Sequence, residues 1–269
     1  MEARVHDDPE TFRPLAMPLL AADPVRNTVL LTAAESLSAD SVMITLHDGD
    51  DVVGLVTQVL PYPLVVTAMP IEAAELVART VHGVRPQLTG SSGVVAHVEA
   101  FNAAWTELTG ATATMQFGSR LFRLGELVPP KVDGRARQAA EVDLPLVTKW
   151  RDAFMAETFP EEAEAQAKRR PDSDGVIILW EVDGQPVSYA GARGPYAGMV
   201  RVAPVYTPEE LRGHGYASAA TAAVSQWALD QGAEHVLLFT DVANPTPNRL
   251  YPRLGYEPLD DSVEYKFSN

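Results

Sequence analysis

The chain has 269 residues, a formal charge of −15 and no cysteine, which removes disulfides, thiolate zinc sites and cysteine nucleophiles. Its 36 Asp and Glu against 21 Lys and Arg argue against a nucleic-acid surface, which needs concentrated cations. An apolar fraction of 46% with 21% charged residues is that of a globular protein, and the negative field would attract a cationic, amine-bearing molecule.

The acidic residues 1–10 lack an apolar core, so no signal peptide is expected there, and they are the one segment expected to lack order. Helical patterns follow at 12–20 and 24–36. Strands are predicted at 42–47, 52–60 and 64–69, with Asp48-Gly49-Asp50 as the turn between the first two. The uncharged run 52–71 has the length of a membrane span, but Pro61-Tyr62-Pro63 divides it into two strand-sized pieces, so no membrane helix is expected. Helices at 72–82 and 94–108, the second closed by Gly110, precede a strand at 115–124.

Glu126 to Gly134, with Pro129-Pro130 and Asp133-Gly134, reads as a linker between a domain at 1–130 and another at 135–269. The second part is expected to hold helices at 144–159 and 161–170, then strands at 176–182, 186–193 and 199–206. Asp183-Gly184 joins the first two strands. A long helix at 218–230 ends at Gly232, followed by a strand at 235–241, a short helix at 248–254 and a strand at 264–267. The two parts share an order of elements. The fold class is α/β: a mixed, mostly antiparallel twisted sheet flanked by helices, in two similar-sized halves.

Arg212-Gly213-His214-Gly215-Tyr216-Ala217 lies between the strand at 199–206 and the long helix. A small-residue turn there lets consecutive backbone N–H groups face one way at a helix N-terminus, which suits phosphate oxygens. About thirty residues later come Asn244-Pro245-Thr246-Pro247-Asn248-Arg249-Leu250-Tyr251 and Leu254-Gly255-Tyr256. The first motif has Arg, two variable residues, Gly, one variable residue and Ala at the end of the turn. The second has Asn seven residues before a Tyr in a Leu-Tyr pair. Together, over roughly 135–269, they resemble the GNAT superfamily of acyl-CoA-dependent N-acyltransferases. Val205-Tyr206-Thr207-Pro208 and the Asn-Pro-Thr-x-Asn run resemble a bacterial subgroup whose members often carry a divergent N-terminal half.

The resemblance implies acetyl-CoA as cosubstrate, with no metal. It places the pantetheine arm along the backbone at Val205 and Thr207, as an added strand would lie. It sets the pyrophosphate over the N–H groups of Arg212, Gly213, His214, Gly215, Tyr216 and Ala217. Asn244 and Asn248 would bond the pantetheine or phosphate region, and Tyr251 would protonate the departing thiolate. A phenol, with an ordinary pKa of about 10, is protonated at neutral pH. The acceptor is a primary amine of a small molecule or a peptide. Glu157, Glu181, Asp241 and Glu209 are the carboxylates of suitable type for a base, and no motif selects among them.

Other readings stand beside these. Asn244 has the residue type of a helix cap, and Tyr251 could pack in a core. His214 is at a variable position of the turn, and the remaining histidines show no metal spacing. Trp180, Tyr189 and Tyr196 could line an acceptor pocket or pack. Thr89-Gly90-Ser91-Ser92-Gly93 is the nearest counterpart of the glycine turn in the first half, without its Arg or its spacing; that half would wall off the acceptor or support the second by packing. The overall expectation is a cytoplasmic bacterial acetyltransferase with no nucleic-acid or membrane partner, compatible with a homodimer. The alternative is a non-catalytic acyl-CoA-binding or sensing module.

Overall fold

The computed structural model describes residues 1–158 and 175–268. The helix expected at 161–170 lies outside the described residues. The chain forms two compact units. Unit 1 comprises Met1–Leu121, Asp241–Ala243 and the chain from Leu259 onward; unit 2 comprises Phe122–Thr240 and Asn244–Pro258.

In unit 1, β1 (Glu2–Val5) precedes α1 (Pro9–Ala22) and α2 (Thr28–Ala34). Asp8 caps α1, accepting from the Glu10 N–H at 3.1 Å. The hairpin of β2 (Val42–Asp48) and β3 (Asp51–Gln58) turns at Gly49, φ 63°, a conformation that glycine adopts without a Cβ penalty. β4 (Leu64–Val65), α3 (Ala74–Val84), β5 (Gly90–Val94), α4 (Val95–Thr109) and β6 (Thr112–Leu124) complete the run. Gly110, φ 74°, closes α4 as expected. All of β2 up to His47 is buried, because α1 packs on the hairpin while Val42, Ile44 and Leu46 share a core with Val77, Val81, Phe101 and Trp105 of α3 and α4.

In unit 2 the elements are β7 (Arg135–Gln138), α5 (Leu144–Thr158), β8 (Val176–Val182), β9 (Gln185–Tyr196) and β10 (Met199–Tyr206). After them come α6 (Tyr216–Asp230), β11 (His235–Asp241) and α7 (Pro245–Arg253), while β12 (Tyr256–Ser268) starts in unit 2 and belongs to unit 1 from Leu259. Strands β7 to β10 pair antiparallel in sequence, and β11 joins β10 in parallel. Alternate residues of β8 enter different cores: Val176 and Ile178 pack under Ala220, Ala222 and Val224 of α6, whereas Ile177 and Leu179 pack with Val147 and Trp150 of α5. A sheet covered on both faces explains the unbroken apolar run Val176–Leu179. The alanines of α6 let the helix lie close on the sheet, and Trp227 packs against the same core. The sheet is thus mixed and mostly antiparallel, flanked by helices, as the sequence pattern implies.

Three short strands escape the sequence reading. Glu2–Val5, expected to lack order, instead pairs antiparallel with β2. Gly90–Val94, read as a turn comparable to the glycine turn, is a strand between β4 and β12. It follows α3, so in element order it corresponds to β11 and not to the turn before α6. Arg135–Gln138 pairs with β8. Conversely, of the strand expected at 64–69 only Leu64–Val65 forms, because Met69 N–H turns back to the Val66 carbonyl at 3.1 Å.

The units are drawn differently from the 1–130 and 135–269 division. Segment 125–134 is tied along unit 2: Gly125 N–H donates to Gly255 O at 2.9 Å, Val128 N–H to Leu254 O at 3.0 Å and Trp180 Nε1 to Asp133 O at 3.0 Å. The C-terminal strand gives its residues Ser262–Lys266 to β5 of unit 1.

Candidate functional site

The register between β10 and β11 runs from Met199↔His235 to Arg201↔Leu237, while the strands continue to Tyr206 and Asp241. Beyond Arg201 their facing edges leave each other. On its other side β10 is irregular against β9 between Val202 and Val205, where Pro204 has no N–H to give the ladder. The strand end at Val205–Tyr206 is therefore partly exposed although β10 lies between two paired neighbours. Such an edge offers backbone donors and acceptors to an extended ligand.

The chain then turns through Glu209–Leu211 and Arg212 to Gly213, φ 85°, and Gly215, φ 83°, which caps α6 without any side-chain hydrogen bond. Both glycines sit where a side chain would be strained. A Cβ on Gly213 would meet only open space, and one on Gly215 would come within 3.0 Å of Val132 Cγ2. Among the described residues no acceptor meets the N–H groups of Gly213, His214, Gly215, Tyr216, Ala217 and Ser218. Six consecutive donors at the positive end of a 15-residue helix form an anion-binding surface.

Arg212 itself braces the turn. Its Nε donates to Thr207 O at 3.0 Å, its terminal nitrogen meets Glu157 at 2.7 Å, and its guanidinium lies 5.8 Å from the Tyr206 ring centroid. Thr207 is buried, with its hydroxyl 2.9 Å from Ser188 Oγ. His214 is exposed and stacks on Tyr216 with ring centroids 5.3 Å apart.

The asparagines are engaged within the protein. Asn244 Oδ1 caps α7 by accepting from Thr246 N–H at 3.1 Å. Asn248 accepts from Thr240 Oγ1 at 2.7 Å and donates to Asn244 O at 2.7 Å, which joins β11 to α7. Tyr251 is 8% exposed and packs between Phe122 and Tyr256. Burial pushes its phenol up to about 12, an effect partly offset by the Thr221 hydroxyl. Sequence reasoning missed the hydroxyls facing this cluster. Thr221 and Ser225, four residues apart on α6, are both fully buried, and Ser225 Oγ lies 2.7 Å from Tyr256 Oη. Their signal was a polar pair at helical spacing inside an alanine-rich run.

Of the four carboxylates, Glu181 receives Arg137 Nε at 2.6 Å and Arg135 Nε at 3.3 Å, and the Arg137 guanidinium holds it below the ordinary carboxylate range. It belongs to the packing of β7 on β8. Asp241 accepts the Ala243 N–H at 2.7 Å. Glu157 is the one that reaches the glycine turn, through Arg212. Tyr189 is a core residue stacked on Trp150 at 6.1 Å, so it does not line a pocket, and Trp180 packs on the α6 core.

A groove of about 340 Å³ opens beside the first turn of α6, lined by Ser218, Pro245, Thr246, Arg249, Leu250 and Arg253. Among the described residues no three His, Asp or Glu are placed to hold a metal ion, and no helix is long and apolar enough to cross a membrane.

Residues 144–256 match the model of the Acetyltransferase (GNAT) family. A curated relative, aminoglycoside N(6')-acetyltransferase type 1 of Serratia marcescens, is 36% identical over 62 residues, which is 23% of this chain and 42% of that protein. The chain thus spans less than half the length of that relative. Among solved structures, an acetyltransferase from the GNAT family of Colwellia psychrerythraea aligns over 100% of both chains with a TM-score of 0.66 at 12% identity. A tandem GNAT protein from the clavulanic acid biosynthesis pathway aligns over 98% of this chain and 97% of its own, with a TM-score of 0.63 at 14% identity. These likenesses carry the fold, and they carry it over both units.

Proposed function

We propose that the protein transfers the acetyl group of acetyl-CoA directly to a primary amine, a reading supported by the match of residues 144–256 to the acetyltransferase (GNAT) family model. The observation that carries this reading is the pairing of an opened strand edge, Val205–Thr207, with six acceptor-free N–H groups from Gly213 to Ser218. The first suits the amide groups of a pantetheine arm, and the second suits a pyrophosphate.

In this reading the neutral amine attacks the thioester carbonyl carbon, the C–S bond breaks, and the amine proton passes to solvent or a base. A β10 N–H faces the developing oxyanion. Tyr251 supplies the proton to sulfur and is restored from solvent. A phenol raised to about 12 is protonated throughout the neutral range, so this role needs no partner to charge it. No covalent intermediate on the protein is required, in keeping with a chain that lacks cysteine.

One observation favours a second reading, binding without transfer: Tyr251 is almost wholly buried among aromatic side chains. The test is CoA release from acetyl-CoA across a panel of aminoglycosides, polyamines and peptide N-termini, beside direct measurement of CoA affinity. Amine-dependent thiol release is expected. CoA binding with no release across the panel would leave the binding module, and no CoA binding at all would overturn both readings.

A further inference from the structure

Thr221 of α6 is fully buried, and among the described residues its hydroxyl has no hydrogen-bond partner. Threonines of the other helices behave differently. Thr32, Thr80, Thr106 and Thr109 each give their proton to the backbone carbonyl four residues earlier, at 2.7 to 3.0 Å. Ser225, one turn beyond Thr221 on the same face of α6, does the same to the Thr221 carbonyl at 2.7 Å. A buried hydroxyl without a partner costs free energy, so its presence in this core calls for a reason.

The neighbouring phenols supply one. Ser225 has spent its single proton on the carbonyl, so its 2.7 Å contact with Tyr256 Oη uses the Tyr256 proton. Neither hydroxyl then has a proton to offer Tyr251. The Tyr251 ring stands edge-on to the Tyr256 ring at 5.8 Å, and its phenol faces Thr221. Thr221 is close enough to oppose the effect of burial on that phenol, yet the two stop short of a formed hydrogen bond. A neutral phenol asks little of such a neighbour. A phenolate in this pocket, packed against Phe122 and Tyr256, would find the Thr221 O–H as its donor.

We propose that Thr221 is a positioning residue for the acid step: its free hydroxyl turns to Tyr251 Oη and hydrogen-bonds the phenolate that forms as the phenol proton passes to the CoA sulfur. The proton moves from the Tyr251 oxygen to sulfur, Thr221 keeps its own, and the phenolate regains a proton from solvent. The inference rests on the acetyl-transfer reading and the acid role of Tyr251 given above. The experiment measures thiol release from acetyl-CoA with the fastest amine of the panel named above. It compares the unaltered protein, Thr221→Val, Thr221→Ser, Tyr251→Phe and the Tyr251→Phe, Thr221→Val double variant, with thermal melts and CoA titration beside each. Thr221→Val exchanges the hydroxyl for a methyl of similar size. It should lower kcat by about 10- to 100-fold while KM for acetyl-CoA and CoA affinity stay within about 2-fold. Its melting temperature should not fall, because a buried group without a partner has been removed. Thr221→Ser should recover most of the lost turnover. In the Tyr251→Phe background, Thr221→Val should add less than about 2-fold. Full turnover of Thr221→Val beside an impaired Tyr251→Phe would overturn this assignment and leave the acid role standing. An equal loss in both backgrounds would also overturn it, since Thr221 would then act on something other than Tyr251. So would loss of folding or of CoA binding in Thr221→Val, which would make the residue structural. Full activity of Tyr251→Phe would overturn the acid role and this assignment together, and no thiol release with any amine would overturn the transfer reading as well.

Discussion

Each unit contains a parallel pair of strands separated by one helix, and the two pairs end differently. In unit 2, β10 and β11 pair through Arg201↔Leu237 and then part. In unit 1, β4 and β5 pair at Leu64↔Ser91 and Val65↔Ser92, and bonding continues: Val66 N–H donates to Ser92 O at 3.0 Å. Thr67 then packs so closely on Gly93, φ 142°, that a Cβ there would come within 2.6 Å of its hydroxyl. The segment from β4 to α3 has no glycine, and Pro70 precedes the turn Ile71–Ala73 that leads into the helix. The order of elements is shared, but the opened edge and the acceptor-free N–H surface occur in unit 2. A shared order of elements therefore does not repeat the candidate site, which depends on where pairing stops and on two left-handed glycines.

The comparison would break first at turnover. Tyr251 on α7 corresponds in element order to a position on α4, a helix without tyrosine whose aromatic residues, Phe101 and Trp105, are stacked core. Tyr251→Phe is expected to lower turnover by about 100-fold while CoA affinity stays nearly intact. Steady-state thiol release alongside titration with CoA reads both, and full activity would remove the acid role. Next in size, Gly215→Val should weaken CoA binding by roughly 30-fold, because a β-branched residue at φ 83° must rearrange the turn and Val132 blocks the space. Unaltered affinity would detach the phosphate role from this turn. The mirror experiment is Gly93→Val in unit 1, which should lower the melting temperature by about 5 °C or more yet leave CoA affinity and a stoichiometry of one per chain unchanged. Two CoA per chain in the unaltered protein would show that the closed pair opens.

The legible parts of this molecule are those whose cause is local. β10, β11 and the glycine turn stand where an apolar run, small residues and an alanine-rich helix placed them, because each is set by periodicity or by a backbone conformation that only glycine takes easily. The strands at Glu2–Val5, Gly90–Val94 and Arg135–Gln138 are four or five residues long and carry charge, glycine and serine, so any alternation in them is too short to read. They are extended because a neighbouring strand offers an unpaired edge, and for β5 one such neighbour comes from the C-terminus. The site residues divide the same way. The backbone donors at Gly213–Ala217 follow from the motif, whereas the capping role of Asn244, the burial of Tyr251 and the Thr221–Ser225 hydroxyls depend on packing across α6, α7 and the sheet.

The smallest expected effect concerns the edge strands β1 and β7, one in each unit. In unit 1, the only ion pair on β1 among the described residues is Arg4 with Glu2, both largely exposed and of little weight. In unit 2, Arg137 of β7 joins Asp143 at 2.8 Å and Glu181 at 2.6 Å, and both carboxylates are mostly buried. The guanidinium holds the Asp143 and Glu181 carboxyls below their ordinary values. A carboxyl depressed in the folded state stabilises the protein above its unfolded pKa and loses that contribution as pH falls through the folded one. The contribution is therefore complete above roughly pH 5 and declines below about pH 4, given ordinary carboxyl values near 4. Arg137→Gln should lower the melting temperature by about 5 °C at pH 7, since Asp143 loses its cation and Glu181 keeps only Arg135, at 3.3 Å. It should also flatten the loss between pH 5 and pH 3, because the carboxyls would be less depressed, held only by Arg135 on Glu181 and by the Ala140 N–H on Asp143. Arg4→Gln should change neither quantity. Thermal melts across that pH range decide it: parallel profiles for Arg137→Gln and the unaltered protein would mean that β7, like β1, is held by its backbone ladder and not by charge.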